Sequence, residues 1–228
     1  MSARQVCIEV DDIALHGLLR RPQSATGLVL FAHGSGSGRR SPRNNFVAER
    51  LAAAGIATLL FNLLSESEER IDARDAALRF DIPLLSARLR LATQWARAHE
   101  ELSALRLGYF GASTGAAAAL AAAAAAPDIG AIVSRGGGRP DLAGAALARV
   151  RAPTLLIVGG EDHPVLALNR QARGQLSCPS ELAVIPAATH LFEEPGALEQ
   201  VAALAAGWFA RHLGSTRTAH RASSPLPR

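Results

Sequence analysis

Lysine is absent from this sequence: all 24 of its basic residues are arginine. That excludes a Walker A phosphate loop, which needs a lysine before its Ser/Thr. The dinucleotide pattern Gly-x-Gly-x-x-Gly is missing as well. Gly34 and Gly36 would require glycine at Arg39, and Gly36 and Gly38 would require it at Ser41. Cysteine is scarce. Cys7 and Cys178 are too few for a disulfide scaffold and lack metal-ligand spacing. Two reduced thiols in a cytoplasmic protein are expected, with no metal and no cofactor. The most apolar run, Ala116–Ala126, has 11 residues, too short to span a bilayer. The first residues reach Glu9, Asp11 and Asp12 with no apolar stretch between them, so no secretory signal is expected.

The formal net charge is +4, but the stretch from Gly214 onward holds Arg217, Arg221 and Arg228 and no acid, leaving +1 on the body. A nucleic-acid binder shows a basic face on its folded part. Neither nucleic acid nor membrane is therefore expected as a partner. The 228 residues, 49% of them hydrophobic, suit one domain with one substantial core. Residues 1–213 are expected to form that domain, and 214–228 a disordered basic tail.

Strand-like runs alternate with helical patterns along the chain. The runs are Val6–Val10, Ile13–Leu19, Leu28–Ala32, Ile56–Phe61, Leu105–Phe110, Ile129–Ser134, Thr154–Val158 and Leu182–Ile185. Only Asp11-Asp12 separates the first two, which reads as a hairpin. Several later runs are apolar throughout, as parallel strands covered on both faces are. Helical spacing predicts Asn44–Ala54, Ile82–His99, Thr114–Ala126 and Leu198–Leu213, with Gly55 and Pro127 as stop signals. The alanine run suits a helix packed close to a sheet. The acidic segment Ser65–Asp75 reads as a solvated loop or helix face, and Leu63–Leu78 could partly cover a pocket. An α/β sandwich around a mostly parallel sheet follows.

Gly111-Ala112-Ser113-Thr114-Gly115 carries the clearest chemistry. The Gly-x-Ser-x-Gly pattern lies between the strand Leu105–Phe110 and a helix, the setting that puts a serine on a sharp turn with Oγ exposed. A serine that merely caps the alanine helix would use the same residues. A nucleophilic serine needs a base and an orienting acid. Among seven histidines, His190 alone leaves a strand into a loop before the last helix. Asp162 follows the strand Thr154–Val158 and is the preferred acid, with Glu161 the alternative. Ser, Asp and His then occur in that order, each at the carboxyl end of a strand, where catalytic groups gather in such sheets. The glycine-rich loop His33–Gly38 follows another strand and can supply backbone donors. The N–H groups of Ser35 and Thr114 are assigned as the oxyanion hole, with His33 holding the loop.

These residues resemble the α/β-hydrolase superfamily, and within it the small dienelactone-hydrolase-like members. The match runs from Val6 to about Leu213 and rests on His33-Gly34-Ser35, the Ser113 elbow, Gly159-Gly160-Glu161-Asp162 and Thr189-His190-Leu191-Phe192. The resemblance implies an α/β-hydrolase fold: a mostly parallel eight-stranded sheet, its second strand antiparallel, with helices on both faces. It also implies catalysis by Ser113, Asp162 and His190. Dienelactone hydrolases proper use a cysteine nucleophile where Ser113 stands here. A serine esterase or related acyl hydrolase acting on a small ester, lactone or thioester is the expectation; a non-catalytic binding module of the same fold is the alternative. Only 19 residues separate Ser134 from Thr154, with one short helix over Leu142–Val150, so no large cap domain is expected. Arg135, at a strand end before three glycines, is a candidate to bind a substrate carboxylate. The preferred reading makes it structural, bonding loop carbonyls or pairing with Asp141.

Overall fold

The computed structural model describes residues 2–214. Residues 215–228 of the expected tail lie outside them. Each of the eight apolar runs forms a strand. β1 (Arg4–Val10) and β2 (Ile13–Arg20) make an antiparallel hairpin, and Asp11 in its turn takes a φ of +52°. Then come β3 (Gly27–Ala32), β4 (Ala57–Phe61), β5 (Arg106–Ala112), β6 (Ala131–Arg135), β7 (Thr154–Gly159) and β8 (Ser180–Ile185). The order across the sheet is β1-β2-β4-β3-β5-β6-β7-β8. β2 pairs antiparallel with β1 and β4, and the remaining pairings are parallel.

Helices cover both faces. α1 (Pro42–Ala53) and α6 (Ala197–Leu213) bury Val47, Leu51, Val201 and Phe209 against Phe31, Phe110 and Ile157. On the other face, α3 (Ile82–Ala98) and α4 (Thr114–Ala124) pack Leu85, Leu89 and the buried alanines against Leu30, Tyr109 and Ile132. β3, β4, β6 and β7 are buried along their whole length, which is why their sequences run apolar without alternation. Among the described residues no large cap interrupts the sheet. Pro140–Arg149, between β6 and β7, is a kinked 3-10 segment. No described helix is long and apolar enough to cross a membrane.

Two helices were not resolved by the periodicity. α2 (Glu66–Asp75) occupies the acidic segment, closed at its start by a capping box: Ser65 Oγ accepts the Glu68 N–H and Glu68 accepts the Ser65 N–H. The Ser-x-x-Glu signature was the available signal. α5 (His163–Gln175) begins directly after Asp162, with Pro164 in its first turn.

The topology sets the site. The chain leaves β3 for α1 on one face and leaves the adjacent β5 for α4 on the other. Loops that diverge in this way open a crevice at the carboxyl edge of a sheet.

Candidate active site

Ser113 stands at the turn between β5 and α4 with φ +50° and ψ −120°, a strained conformation for a residue with a side chain. Close packing enforces it. A Cβ at Gly111 would meet Ala116 Cα at 2.5 Å, and one at Gly115 would meet the Ala32 carbonyl at 2.1 Å. Only glycine lets α4 start this close to β3 and β5. The Ser113 N–H donates to the Arg135 carbonyl at 3.0 Å, which ties the turn to β6. Its side chain makes no helix-capping bond.

The hydroxyl instead lies 3.1 Å from His190 Nε2, and His190 Nδ1 lies 2.6 Å from Asp162 Oδ2. The Nδ1–H tautomer fits both contacts, since it donates to the carboxylate and leaves Nε2 free to accept the serine proton. Asp162 is the more enclosed partner, 13% exposed against 36% for His190. Glu161, the alternative acid, points away: its side chain is 59% exposed and lies 4.0 Å from His163. The loop carrying His190 is pinned to β7. Glu161 N–H donates to the Ala188 carbonyl at 3.0 Å, and a Cβ at Gly159 would strike that carbonyl at 2.3 Å. Beyond it, Glu194 accepts from the Thr189 N–H and hydroxyl at 3.0 and 2.6 Å. The Thr189 hydroxyl holds the Glu194 carboxyl below its ordinary range.

The His33–Gly38 loop lies against the elbow. A Cβ at Gly34 would come within 3.1 Å of Ser113 Cβ. His33 holds the loop by two bonds: its Nε2 accepts the Leu63 N–H at 3.0 Å, and its Nδ1 meets the Gly34 carbonyl at 2.9 Å. Because Nε2 accepts an N–H, Nδ1 is the ring's donor; burial lowers the His33 pKa, with the Gly34 bond opposing more weakly. Beside this loop opens a groove of about 290 Å³, walled by Ser35, Leu63, Leu64, Asp72 and Arg79 among others. Asp72 belongs to the acidic segment expected to be a solvated loop or helix face, but it is buried here; sequence reasoning missed Arg79. Arg79 Nε donates to Asp72 Oδ2 at 2.7 Å, and its N–H donates to Oδ1 at 2.9 Å. Burial raises the Asp72 pKa, but the hydrogen bonds and charge of Arg79 outweigh it and leave the carboxyl below its ordinary range.

Arg135 sits at the end of β6, at the rim, but the structure does not bring it to the groove. It is 7% exposed, and its guanidinium lies 5.8 Å from the centre of the Phe192 ring. Nor does it pair with Asp141, whose carboxylate takes Arg139 at 2.9 Å. The physical reason is strand parity: Arg135 registers with Ala112 and Ile157, which face α1 and α6.

A serine, a histidine and a carboxylate in one hydrogen-bonded line at the switch point of this sheet invite comparison with known hydrolases. The model of the dienelactone hydrolase family matches residues 15–213. The chain belongs to the dienelactone hydrolase family. A crystal structure of a dienelactone hydrolase from Anabaena variabilis is 56% identical, with a TM-score of 0.91 over 93% of this chain and 98% of that one. A cold-adapted esterase from an Arctic intertidal metagenomic library shares the fold at 19% identity, with a TM-score of 0.72 over 92% of this chain and 94% of its own. Two Mycobacterium tuberculosis proteins, from strains CDC 1551 and H37Rv, are 53% identical over 210 residues. Both are provisionally named phosphoribosyl transferases. The match covers 92% of this chain but 46% of theirs, so this dienelactone-hydrolase-family chain spans about half their length.

Proposed function

We propose that this chain is a serine hydrolase that cleaves a small ester, lactone or thioester through an acyl-enzyme on Ser113. The observation that carries the reading is the line from Ser113 Oγ through the His190 ring to Asp162. Ser113 Oγ attacks the carbonyl carbon while His190 Nε2 takes its proton. Asp162 holds the imidazole in the Nδ1–H tautomer and stabilises the imidazolium as it forms. The imidazolium then protonates the leaving alcohol or thiol, and the tetrahedral adduct collapses to the acyl-serine. Water, deprotonated by His190, repeats the sequence to release the acid and restore Ser113.

The negative charge on the carbonyl oxygen is taken by the N–H groups of Thr114 and Ser35. The first supports the reading because the opening N–H of a helix has no partner within that helix. The second gains support from His33. A trans peptide directs its N–H opposite to its C=O, so with the Gly34 carbonyl held by His33 the Ser35 N–H faces the other way. The partner is a small acyl compound, and no step calls for a cofactor.

A transferase reading would follow from the name of the mycobacterial relatives. That name belongs to proteins about twice as long, of which this chain matches 46%. Labelling with a fluorophosphonate probe separates the hydrolase from a non-catalytic module of the same fold. Modification of the native chain at Ser113, absent in Ser113→Ala, is the expected result. A folded chain that takes no label would overturn it. A hydrolysis screen over esters, lactones and thioesters of graded acyl length then gives the substrate class.

A further inference from the structure

The loop between β3 and α1 borders two grooves of different character. Leu63, Leu64 and Leu85 wall the one already described, together with Glu69 and the paired Asp72 and Arg79. Arg39, Arg40 and Arg43 line the second, a groove of about 470 Å³ with no acidic side chain in its walls. Ser35 and Gly36 line both. The arginine groove therefore reaches the residue assigned to the oxyanion hole, next to Gly34, whose Cβ would come within 3.1 Å of Ser113 Cβ. Among the described residues Arg39 and Arg40 pair with no carboxylate, while Arg43 takes Glu193 at 3.0 Å through Nη1. The backbone beneath these arginines is fixed. Arg39 N–H donates to Asn62 Oδ1 at 2.9 Å, and Asn45 Nδ2 donates to the Arg39 and Ser41 carbonyls, each at 2.9 Å. Ser41 N–H closes on the Gly38 carbonyl at 3.0 Å.

Guanidinium groups around one groove repel each other, and an anion laid among them relieves that repulsion. Each can give two parallel N–H···O bonds, so three exceed what a single carboxylate accepts, and a doubly charged phosphate suits them better. The volume is that of a small-molecule site, about 300–1,000 Å³, rather than of a bare ion. We propose, resting on the serine-hydrolase reading above, that the substrate is an ester or thioester of a phosphorylated alcohol or thiol, its acyl group against Leu63, Leu64 and Leu85 and its phosphate among Arg39, Arg40 and Arg43. The bond from the acyl carbon to oxygen or sulfur breaks. The alcohol or thiol leaves with a proton from His190 and with its phosphate intact, and water completes the acid. Charge sets the direction of binding: Glu69, whose carboxylate takes the neutral Asn62 amide at 2.7 Å, repels a phosphate from the leucine-walled groove.

The test pairs 1-butanoylglycerol 3-phosphate with 1-butanoylglycerol as substrates of the whole chain. The ratio of their kcat/KM values should favour the phosphorylated ester by about tenfold or more, as one hydrogen bond to a charged group would give. That ratio should fall by about tenfold in Arg40→Gln and in Arg39→Gln, and shrink as salt is added. Calorimetry reads the groove without hydrolysis. Glycerol 3-phosphate should bind the native chain about tenfold more tightly than glycerate, and Arg40→Gln should remove the difference. Equal kcat/KM for the two esters, or glycerate binding as tightly as glycerol 3-phosphate, would overturn the proposal and leave the hydrolase standing. Tight binding of glycerol 3-phosphate by a chain that cleaves neither ester would support the phosphate groove and remove the Ser113 chemistry instead.

Discussion

The Nε2 of His33 accepts the Leu63 N–H at 3.0 Å, so the loop after β3 is latched to the end of β4 by a ring nitrogen that must stay unprotonated. Burial lowers the His33 pKa from the ordinary 6.5. Below that value the unfolded chain binds a proton that the folded chain refuses. The stability His33 contributes is therefore present above pH 6.5 and is lost as pH falls toward its folded pKa, with a slope of up to about 1.4 kcal/mol per pH unit. His212 is lowered in the same direction, again by burial first, so the wild-type slope contains both. Urea unfolding between pH 7.5 and 5 in wild type and His33→Gln isolates the His33 share. Equal slopes would show that the latch carries no such linkage.

What the sequence disclosed of this site follows from what strand ends have in common. Ser113, Asp162 and His190 each follow an apolar run, and the end of a run is visible without knowing how it packs. Arg135 also follows one, yet its direction was hidden. Ile129–Ser134 is apolar at nearly every position because the strand is covered on both faces, and an unbroken run erases the alternation that tells one face from the other. The choice of Asp162 over Glu161 had the same origin: one residue of parity at a strand end. α5 was obscured because its N-cap residue is that acid. Asp162 makes no capping bond, its carboxylate being committed to His190. α2, by contrast, had a signal in Ser65 and Glu68 that the reading of the segment as a loop or helix face left unused.

Ser113 holds a φ of +50°, which costs a residue with a Cβ about 1–3 kcal/mol. Ser113→Gly should therefore melt above wild type while losing hydrolysis. Ser113→Ala should lose activity equally, by a factor of the order of 10⁶ as for serine nucleophiles elsewhere, with little change in Tm. Calorimetry and initial rates on the same preparations check both. A Ser113→Gly variant less stable than Ser113→Ala would mean that the turn is not strained.

Asp162 and Glu161 are neighbours with opposite expectations. Asparagine at 162 presents an amide to His190 Nδ1 and favours the wrong tautomer, a change that costs about 10⁴-fold in kcat in serine proteases. Glu161→Gln removes only an exposed carboxylate at 4.0 Å from His163 and should leave kcat within about twofold of wild type, since exposed pairs contribute little. Steady-state kinetics on one ester suffices. A reversed ranking would move the acid to Glu161.

The same substitution, glycine to alanine, should act in opposite directions at two helical positions. At Gly115 the new Cβ would lie 2.1 Å from the Ala32 carbonyl and 2.5 Å from that of His33, both backbone atoms. Neither can turn aside as a side chain can, so α4 must retreat from β3. That movement would also widen the gap between the Ser35 and Thr114 amides, one on each side of the contact. Gly115→Ala should lower stability by about 3 kcal/mol or more, toward the upper end for overpacking, and hydrolysis should fall even in the fraction that remains folded. At Gly207, inside α6, a Cβ meets nothing within 4 Å. Alanine there removes backbone freedom from the unfolded chain and should raise stability by about 0.5–1 kcal/mol with activity unchanged. Denaturant midpoints for the two variants test the pair. A Gly115→Ala chain as stable and active as wild type would show that the elbow does not depend on this contact.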